Sequence, residues 1–301
     1  MKPVVAENVR RSYGSTTAVD GVSVAIERGE VFALVGPNGA GKTTFVRCLT
    51  GTARLDSGTV RLFGVNPESV PPSRIGLLPQ AFSPPDRLTA RELLTYFAGL
   101  YDEARDPDAV LEEVGLDPDD DTWYENLSGG QQRRTAVATT LVNDPDLLFL
   151  DEPTTGIDPE GRLALWELFE RLSGAGRTIF LTTHDMTEAE RLADRVGLLA
   201  NGRLVEAGKP RRLVEKFGGP NRLVVETDAS PDALGDLAYD VLGTDDGFVI
   251  RDIDPTEIGT IVDALDARDV GFDALSWREP SLEDAYLTLA NDVAAVEVSG
   301  R

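Results

Sequence analysis

A glycine-rich segment, residues 36–44, has the residue types and the spacing of a phosphate-binding loop. It fits the pattern GxxxxGK[ST], and we name it the phosphate loop. In this pattern backbone amides surround the phosphates of a nucleotide, the lysine binds the β and γ phosphates, and the hydroxyl binds Mg²⁺. We therefore assign Lys42 to the phosphates and Thr43 to Mg²⁺. The predicted ATP-binding residues are Gly36, Pro37, Asn38, Gly39, Ala40, Gly41, Lys42, Thr43 and Thr44.

Two carboxylates end a second segment that is typical of a buried strand. Residues 147–150 are apolar, and Asp151 and Glu152 follow directly. Open α/β sheets bind ligands at the carboxyl ends of their strands. In a phosphoryl-transfer site the first carboxylate holds Mg²⁺ or its water, and the second orients and deprotonates the attacking water. By themselves two acidic residues after a strand are more often a solvated turn, so the pairing with the phosphate loop carries the assignment.

A third segment, residues 127–131, reads Leu-Ser-Gly-Gly-Gln at the start of a helical pattern. It offers a serine hydroxyl, glycine amides and a helix N-terminus, which all suit an anion, and alone it is equally well a simple helix cap. Together with the phosphate loop it resembles the LSGGQ signature of ABC ATPases. The resemblance implies a head-to-tail dimer in which the signature of one chain contacts the γ phosphate held by its partner. The signature residues assigned to ATP are Ser128, Gly129, Gly130 and Gln131.

Four further positions take their roles from the same resemblance. His184 falls at the switch histidine, which touches the γ phosphate, and Gln80 at the Q-loop glutamine, which approaches Mg²⁺. Asp158 matches the D-loop, which crosses the dimer interface, and Tyr13 the aromatic residue that stacks on adenine. The alternatives are a structural histidine, a polar loop residue, a helix N-cap and a core aromatic. The predicted catalytic residues are thus Glu152, His184 and Gln80, and the predicted Mg²⁺ ligands Thr43, Gln80 and Asp151.

The elements that must position these residues follow from hydrophobic periodicity. Alternating strand and helix patterns predict a mostly parallel sheet covered by helices, and residues 4–26 predict an antiparallel hairpin. Residues 82–132 predict a helical insertion, in which Leu93, Leu94, Phe97 and Leu100 share one face. We assign no role to the two arginines at 133 and 134. The expected fold is an α/β P-loop NTPase core of the ABC type, with an antiparallel β subdomain and this insertion.

The glycines at 218–219 and the proline after them predict a domain boundary. Residues 1–217 would form the ABC nucleotide-binding domain, and residues 221–301 a small α+β domain. The predicted strands of this domain are 222–227, 247–253 and 272–277, and its predicted helices are 256–268 and 281–290.

Composition excludes several classes of function. The net charge of −23 disfavours a nucleic-acid partner, and no run of about 18 apolar residues predicts a membrane span. The single cysteine, Cys48, cannot form an internal disulfide. With only four lysines, the acidic composition resembles that of proteins from salt-accumulating halophiles and predicts a salt-dependent fold.

The stretch 279–287 resembles the end of ATPase subunits of ABC-2 type exporters, including the daunorubicin-resistance type; a capped amphipathic helix is the alternative. The resemblance implies a Mg²⁺-dependent ATPase that forms a homodimer and powers separately encoded permease subunits from the cytoplasmic face of the membrane. A coupling helix of the permease would dock near residues 82–100. An importer ATPase with a regulatory C-terminal domain, and a soluble ABC ATPase that acts on ribosomes or DNA, are the alternatives.

Overall fold

The computed structural model describes residues 1–230 and 239–299, with side chains up to residue 291. The chain forms two units, Met1–Pro210 and Arg211–Arg301. The division falls after Pro210, the first residue of the helix at 210–217 that we had placed in the first domain, and not at the glycines that follow this helix. Of the predicted second domain, residues 231–238 and 300–301 lie outside the described residues.

The first unit begins with two strands, a glycine-rich loop and a helix, and then alternates between strands and helices. In chain order it contains β1 (Val4–Tyr13), β2 (Thr16–Ile26), β3 (Val31–Val35), α1 (Lys42–Leu49), β4 (Ser57–Leu62), β5 (Ile75–Leu78), α2 (Ala90–Ala98), α3 (Pro107–Glu113), α4 (Gly129–Thr139), β6 (Leu147–Asp151), α5 (Pro159–Gly174), β7 (Thr178–Thr183), α6 (Met186–Leu192), β8 (Arg195–Ala200) and β9 (Arg203–Gly208).

A six-stranded sheet forms the centre of this unit, in the order β5-β6-β7-β3-β8-β9. The pairs from β5 to β8 are parallel, and β9 closes the edge antiparallel to β8. Every residue of β3, β6 and β7 is buried, as expected for strands covered by helices on both faces. Because these strands are parallel, the phosphate loop, Glu152 and His184 all follow strand ends at the same edge of the sheet.

A second sheet, of three antiparallel strands, has the order β2-β1-β4. The hairpin is present, and its strands extend further than predicted, up to a tight turn at 14–15. We did not predict β4, because exposed polar residues fill its first half and leave a weak alternating pattern.

The helical insertion contains α2, α3 and α4; residues 99–106 join the first two helices, and residues 114–128, with a 3-10 turn at Tyr124–Asn126, join the last two. Leu93 and Leu94 are buried, as their spacing predicted. The placement of Leu100 on the same helical face is wrong, since α2 ends at Ala98 and Leu100 is 61% exposed. Gly99 ends the helix because it lacks a side chain that would favour the helical state.

The second unit contains α7 (Pro210–Phe217), β10 (Arg222–Glu226), β11 (Asp240–Thr244), β12 (Gly247–Arg251), α8 (Ile258–Asp266), β13 (Ala274–Arg278) and α9 (Leu282–Ser299). Its strands form an antiparallel sheet in the order β11-β12-β10-β13. One face of this sheet carries Phe248 and Ile250, which pack with Ile261 and Leu265 of α8. We did not predict β11, in which one partly buried valine is the sole residue that is not exposed. Within the described part of the chain, no helix is both long and apolar enough to cross a bilayer.

Candidate active site

The phosphate loop joins β3 to α1 and leaves its backbone open to a ligand. Gly41 has a φ of 105°, a left-handed conformation that side chains disfavour. A Cβ at Gly41 would also clash with the carbonyl oxygen of Ala18. The Lys42 ammonium folds back over the loop and donates to the carbonyl oxygens of Gly36 at 2.6 Å and Pro37 at 3.2 Å. The loop is therefore a preformed cradle with a cation at its centre.

Asp151 and Glu152 stand at the carboxyl end of β6, beside the end of β7. The hydroxyl of Thr182 donates to Asp151 Oδ1 at 2.5 Å and accepts from the Glu152 amide at 3.1 Å. Glu152 has a φ of 51°, in the left-handed region. For a residue other than glycine this conformation costs about 1–3 kcal/mol and persists where the surroundings enforce it.

The Glu152 carboxylate is shared by three side chains of the site. Its Oε1 lies 3.0 Å from Lys42 Nζ, and both side chains are almost fully buried. Its Oε2 lies 2.7 Å from His184 Nδ1 and accepts from the Thr155 hydroxyl at 3.0 Å. Burial alone would raise the pKa of Glu152, but the hydrogen bond and the charge of Lys42, with those of His184 and Thr155, hold it below its usual range. The carboxylate is thus ionised at neutral pH.

Two open cavities adjoin the phosphate loop. One, of about 290 Å³, is lined by Lys42, Thr43, Gln80 and Glu152. The other, of about 250 Å³, lies between α1 and β5 and is lined by Thr43, Gln80 and Asp151. A hydroxyl, a carboxylate and an amide oxygen face shared space here, which is the all-oxygen donor set that Mg²⁺ prefers. The three residues predicted as metal ligands therefore fit the ion.

The signature segment is folded but stands apart from these cavities. Ser128 caps α4: its Oγ accepts from the Gln131 amide at 3.2 Å, and Gln131 Oε1 accepts from the Ser128 amide at 2.9 Å. Ser128 and Gly129 are exposed. Neither cavity is lined by a signature residue. The structure of one chain therefore does not bring the signature to its own phosphate loop.

Asp158 and Tyr13 also lie outside the two cavities. Asp158 occupies the N-cap position of α5 without a side-chain cap hydrogen bond, and it lies next to Gly130 of the signature. The Tyr13 ring is 46% exposed, and the Arg11 guanidinium lies 4.6 Å from its centre. A core role for Tyr13 is thus excluded by its exposure, whereas a stacking surface is available.

Sequence reasoning missed Arg133, to which it assigned no role. Its guanidinium donates to three consecutive carbonyl oxygens, those of Asp151 at 3.1 Å, Glu152 at 2.8 Å and Pro153 at 2.6 Å. Its neighbour Arg134 donates instead to the carbonyl of Gly115 at 2.7 Å. No spacing rule distinguishes the two arginines, because both precede the same buried helical turns.

A buried carboxylate, Glu188 on α6, was also missed. It is fully buried, and its Oε1 accepts from the Thr154 hydroxyl at 2.8 Å and the Trp166 indole at 3.0 Å. Burial raises its pKa, although hydrogen bonds from Thr183, Trp166 and Thr154 oppose the shift. Glu188 therefore ties the segment after Glu152 to the helix that follows His184.

Comparison with known proteins places this arrangement among ATP-binding subunits. Residues 19–155 match the family model described as ABC transporter. The chain is 37% identical over 303 aligned residues to the Nod factor export ATP-binding protein I of Burkholderia orbicola (strain AU 1054), covering 95% of this chain and 96% of that protein.

Solved structures of the same kind share the fold. One is a dimeric structure of a bacterial ABC transporter cassette, MJ0796, with a TM-score of 0.62 and 25% identity over 68% of this chain and 98% of that one. Another is cbiO1 from Clostridium perfringens, part of the ABC transporter complex cbiONQ, with a TM-score of 0.62 and 26% identity over 71% of this chain and 91% of that one. The expected α/β fold, with its antiparallel subdomain and helical insertion, is confirmed.

Proposed function

The chain belongs to the ABC transporter family as an ATP-binding ATPase subunit, and from this premise we propose that a dimer of it powers an ABC-2 type exporter. Export is supported by the relative named for Nod factor export, which aligns with both units of this chain. The C-terminal phrase supports the ABC-2 type. Its Ser281 and Asp284 form a reciprocal cap at the start of α9, as expected for a capped helix, and the ABC-2 type stays a proposal that rests on the resemblance.

The observation that carries the ATPase mechanism is the shared carboxylate of Glu152. Lys42 Nζ lies 3.0 Å from this carboxylate and offsets its charge, although Lys42 is also the cation placed for the phosphates. When a phosphate takes the ammonium, the interaction that most lowers the pKa of Glu152 is lost; burial then raises this pKa against the hydrogen bonds of His184 and Thr155 alone. The carboxylate then becomes a stronger base at the moment when the substrate is in place.

We propose a separate role for each of the other side chains of the site. The His184 ring contacts Glu152 from the end of β7 and is 47% exposed, so it can orient the carboxylate and meet the γ phosphate. Thr43, Gln80 and Asp151 would hold Mg²⁺, which supplies positive charge to the β and γ phosphate oxygens. Tyr13 would stack on adenine, with Arg11 on the other side of its ring.

A dimer is supported by the exposed signature of the single chain. Ser128 and Gly129 present a hydroxyl and a helix N-terminus to solvent, away from their own phosphate loop. A phosphate of a nucleotide bound to a second copy suits this N-terminus. The dimeric cassette structure supports the same arrangement.

A groove beside the helical insertion supports docking of a permease. It measures about 840 Å³ and is lined by residues 71–74 of the core and residues 100–105 that follow α2. Asn143, another lining residue, is 6% exposed and its amide nitrogen donates to three carbonyl oxygens, while its Oδ1 is buried without a hydrogen-bond partner among the described residues. Leu100, which lines the groove, is 61% exposed, and Tyr96, four residues before it on α2, is 63% exposed. A permease helix would cover these apolar side chains.

The test is transport by vesicles that hold the chain with its permease. Tyr96→Asp and Leu100→Asp place a charge on the docking surface, so we expect transport to fall at least about tenfold, as for a charge buried unpaired at an interface. Hydrolysis by the purified chain alone should stay within about twofold, because neither residue lines the nucleotide cavities. Val65→Asp, at an exposed valine outside the insertion, is the control. Equal loss of transport and hydrolysis would contradict the docking site.

A further inference from the structure

Arg133 makes its recorded hydrogen bonds to backbone carbonyls alone. The three acceptors, at Asp151, Glu152 and Pro153, span the exit from β6, where the catalytic carboxylate is attached. Asp151 and Glu152 are 2% and 4% exposed, so water has little access to replace these bonds. A planar guanidinium with several fixed donors suits three neighbouring carbonyls better than any other side chain.

The conformation that Arg133 holds is one that Glu152 would not adopt unaided. Its left-handed φ of 51° turns the side chain so that Oε1 meets Lys42 and Oε2 meets His184. On the strand side, the amide of Glu152 is fixed by Thr182. The carbonyl side of the same residue is fixed by Arg133. The orientation of the carboxylate thus depends on hydrogen bonds on both sides of Glu152. Thr182 of β7 holds the amide side, and Arg133, from the helix α4, holds the carbonyl side.

That element is α4, the helix that begins at the signature. Its first turn carries Gly129 and Gly130, and Gly130 lies beside Asp158 and Ile157 of the D-loop. Arg133 follows one turn later on the same helix. A shift of α4 caused by a phosphate at its N-terminus would therefore move the guanidinium and the backbone of Glu152 together.

We propose that Arg133 is a positioning residue that couples the two nucleotide sites of the dimer. It connects the helix that contacts the partner's nucleotide to the backbone that aims the catalytic carboxylate of its own chain. The inference rests on the proposed dimer. It assigns to Arg133 an effect on the Glu152 of the same chain, and on the cooperativity of hydrolysis between the two sites.

The first experiment compares Arg133→Ala with Arg134→Ala in the full chain. The rate constant kcat should fall about 100-fold in Arg133→Ala, since misplacement of a reacting group by about 1 Å has effects of this size. The ATP concentration at half-saturation should change by less than about threefold, and the Hill coefficient should fall towards one. Arg134→Ala should match the wild type, because Arg134 contacts Gly115 and not the segment of Glu152.

Arg133→Lys keeps the charge, but a lysine ammonium can bind only some of the three backbone carbonyl oxygens that Arg133 binds. We expect its kcat between those of the wild type and Arg133→Ala, with a thermal unfolding midpoint close to that of Arg134→Lys. This pair also serves if Arg133→Ala does not fold. A kcat of Arg133→Lys equal to that of Arg134→Lys would overturn the proposal.

Mixed dimers with two affinity tags then separate an effect within the chain from an effect across the interface. In the first, one chain carries Arg133→Ala and the other Glu152→Gln, so only the chain that lacks Arg133 can hydrolyse. In the second, one chain carries both substitutions and the other is wild type, so the hydrolysing chain retains Arg133. We expect the first dimer to lose activity about 100-fold relative to the second.

Equal rates of the two mixed dimers would overturn the proposal, because Arg133 would then have no effect on the Glu152 of its own chain. A slower second dimer would also overturn it, because Arg133 would then act through the signature on the site of the partner. An unchanged Hill coefficient in Arg133→Ala would overturn the coupling. Failure of the proposed function has a different result: the wild-type chain would show no ATP-dependent dimer and no hydrolysis that Glu152→Gln abolishes.

Discussion

Replacing Glu152 with glutamine removes one charge and keeps the shape of the side chain. The carboxylate and a bound phosphate would compete for the Lys42 ammonium, which lies 3.0 Å from the carboxylate at a buried position. We therefore expect two opposite effects of Glu152→Gln. The chain without nucleotide becomes less stable because the buried Lys42 loses its counter-charge, and ATP binds more tightly because no carboxylate competes with the phosphates for Lys42.

The expected size follows from the bond that is lost. A hydrogen bond to a charged group contributes about 1.5–3 kcal/mol net, and about 1.4 kcal/mol corresponds to a tenfold change in affinity. ATP should therefore bind about 10- to 150-fold more tightly to the variant. The free energy of unfolding without nucleotide should fall by a similar 1.5–3 kcal/mol, roughly, because the same interaction sets both quantities.

Calorimetric titration with ATP and denaturant unfolding without ATP measure the two effects independently. Glu170→Gln is the matched control, since Glu170 pairs with Arg191 at the surface, where ion pairs contribute little. The pKa of Glu152 is lowered in the folded chain. Its contribution to the free energy of unfolding is therefore present above the usual pKa of glutamic acid and is lost as the pH falls through the lowered value. The stability of the wild type and the variant should therefore converge in acid.

Two results would refute this reasoning. Wild-type affinity together with wild-type stability would show that Lys42 and Glu152 do not compete with the nucleotide. Hydrolysis by Glu152→Gln at the wild-type rate would show that Glu152 is not the base.

Two further predictions concern residues around the site. Tyr13→Ala should weaken ATP binding about 5- to 150-fold, since stacking of a base on an aromatic ring contributes about 1–3 kcal/mol. Tyr13→Phe should bind ATP within about twofold of the wild type. Equal binding by both variants in a nucleotide titration would show that Tyr13 does not stack on adenine. The pKa of Glu188 is raised in the folded chain. Its contribution to the free energy of unfolding is therefore fully present below the usual pKa of glutamic acid and is lost as the pH rises through the raised value. Unfolding between about pH 4 and pH 8 should thus show Glu188→Gln gaining stability relative to the wild type as the pH rises, and parallel curves would contradict a buried titrating carboxyl.

The parallel core was predictable because its strands are buried on both faces and read as continuous apolar runs. Leu147–Asp151 and Thr178–Thr183 lie where their composition placed them. The edge strand β4 and the strand β11 were not predictable, because pairing with a neighbour fixes them and their own residues alternate weakly. The salt-dependent fold stays a prediction, as does the assignment of each site residue.

The predicted site residues around Glu152 could be grouped from the sequence because motifs carry them to one edge of the sheet. Their pairing in the nucleotide-free chain could not be predicted, since no motif states that Lys42 and His184 share one carboxylate. Arg133 was missed for a related reason. Its acceptors are backbone carbonyls, which every residue has, so neither residue type nor spacing marks them.

The conformation of Glu152 and its contacts with Lys42 and Arg133 give the proposed mechanism an order of steps. A carboxylate paired with the buried Lys42 ammonium is a poor base, so we expect hydrolysis to begin only when a phosphate takes this ammonium. Arrival of phosphates at Lys42 removes the neutralising charge but does not relax the backbone, because Thr182 and Arg133 still fix it on both sides. The first step of the proposed mechanism is thus a change of charge at Glu152, and any movement of its backbone would follow from a shift of α4 through Arg133.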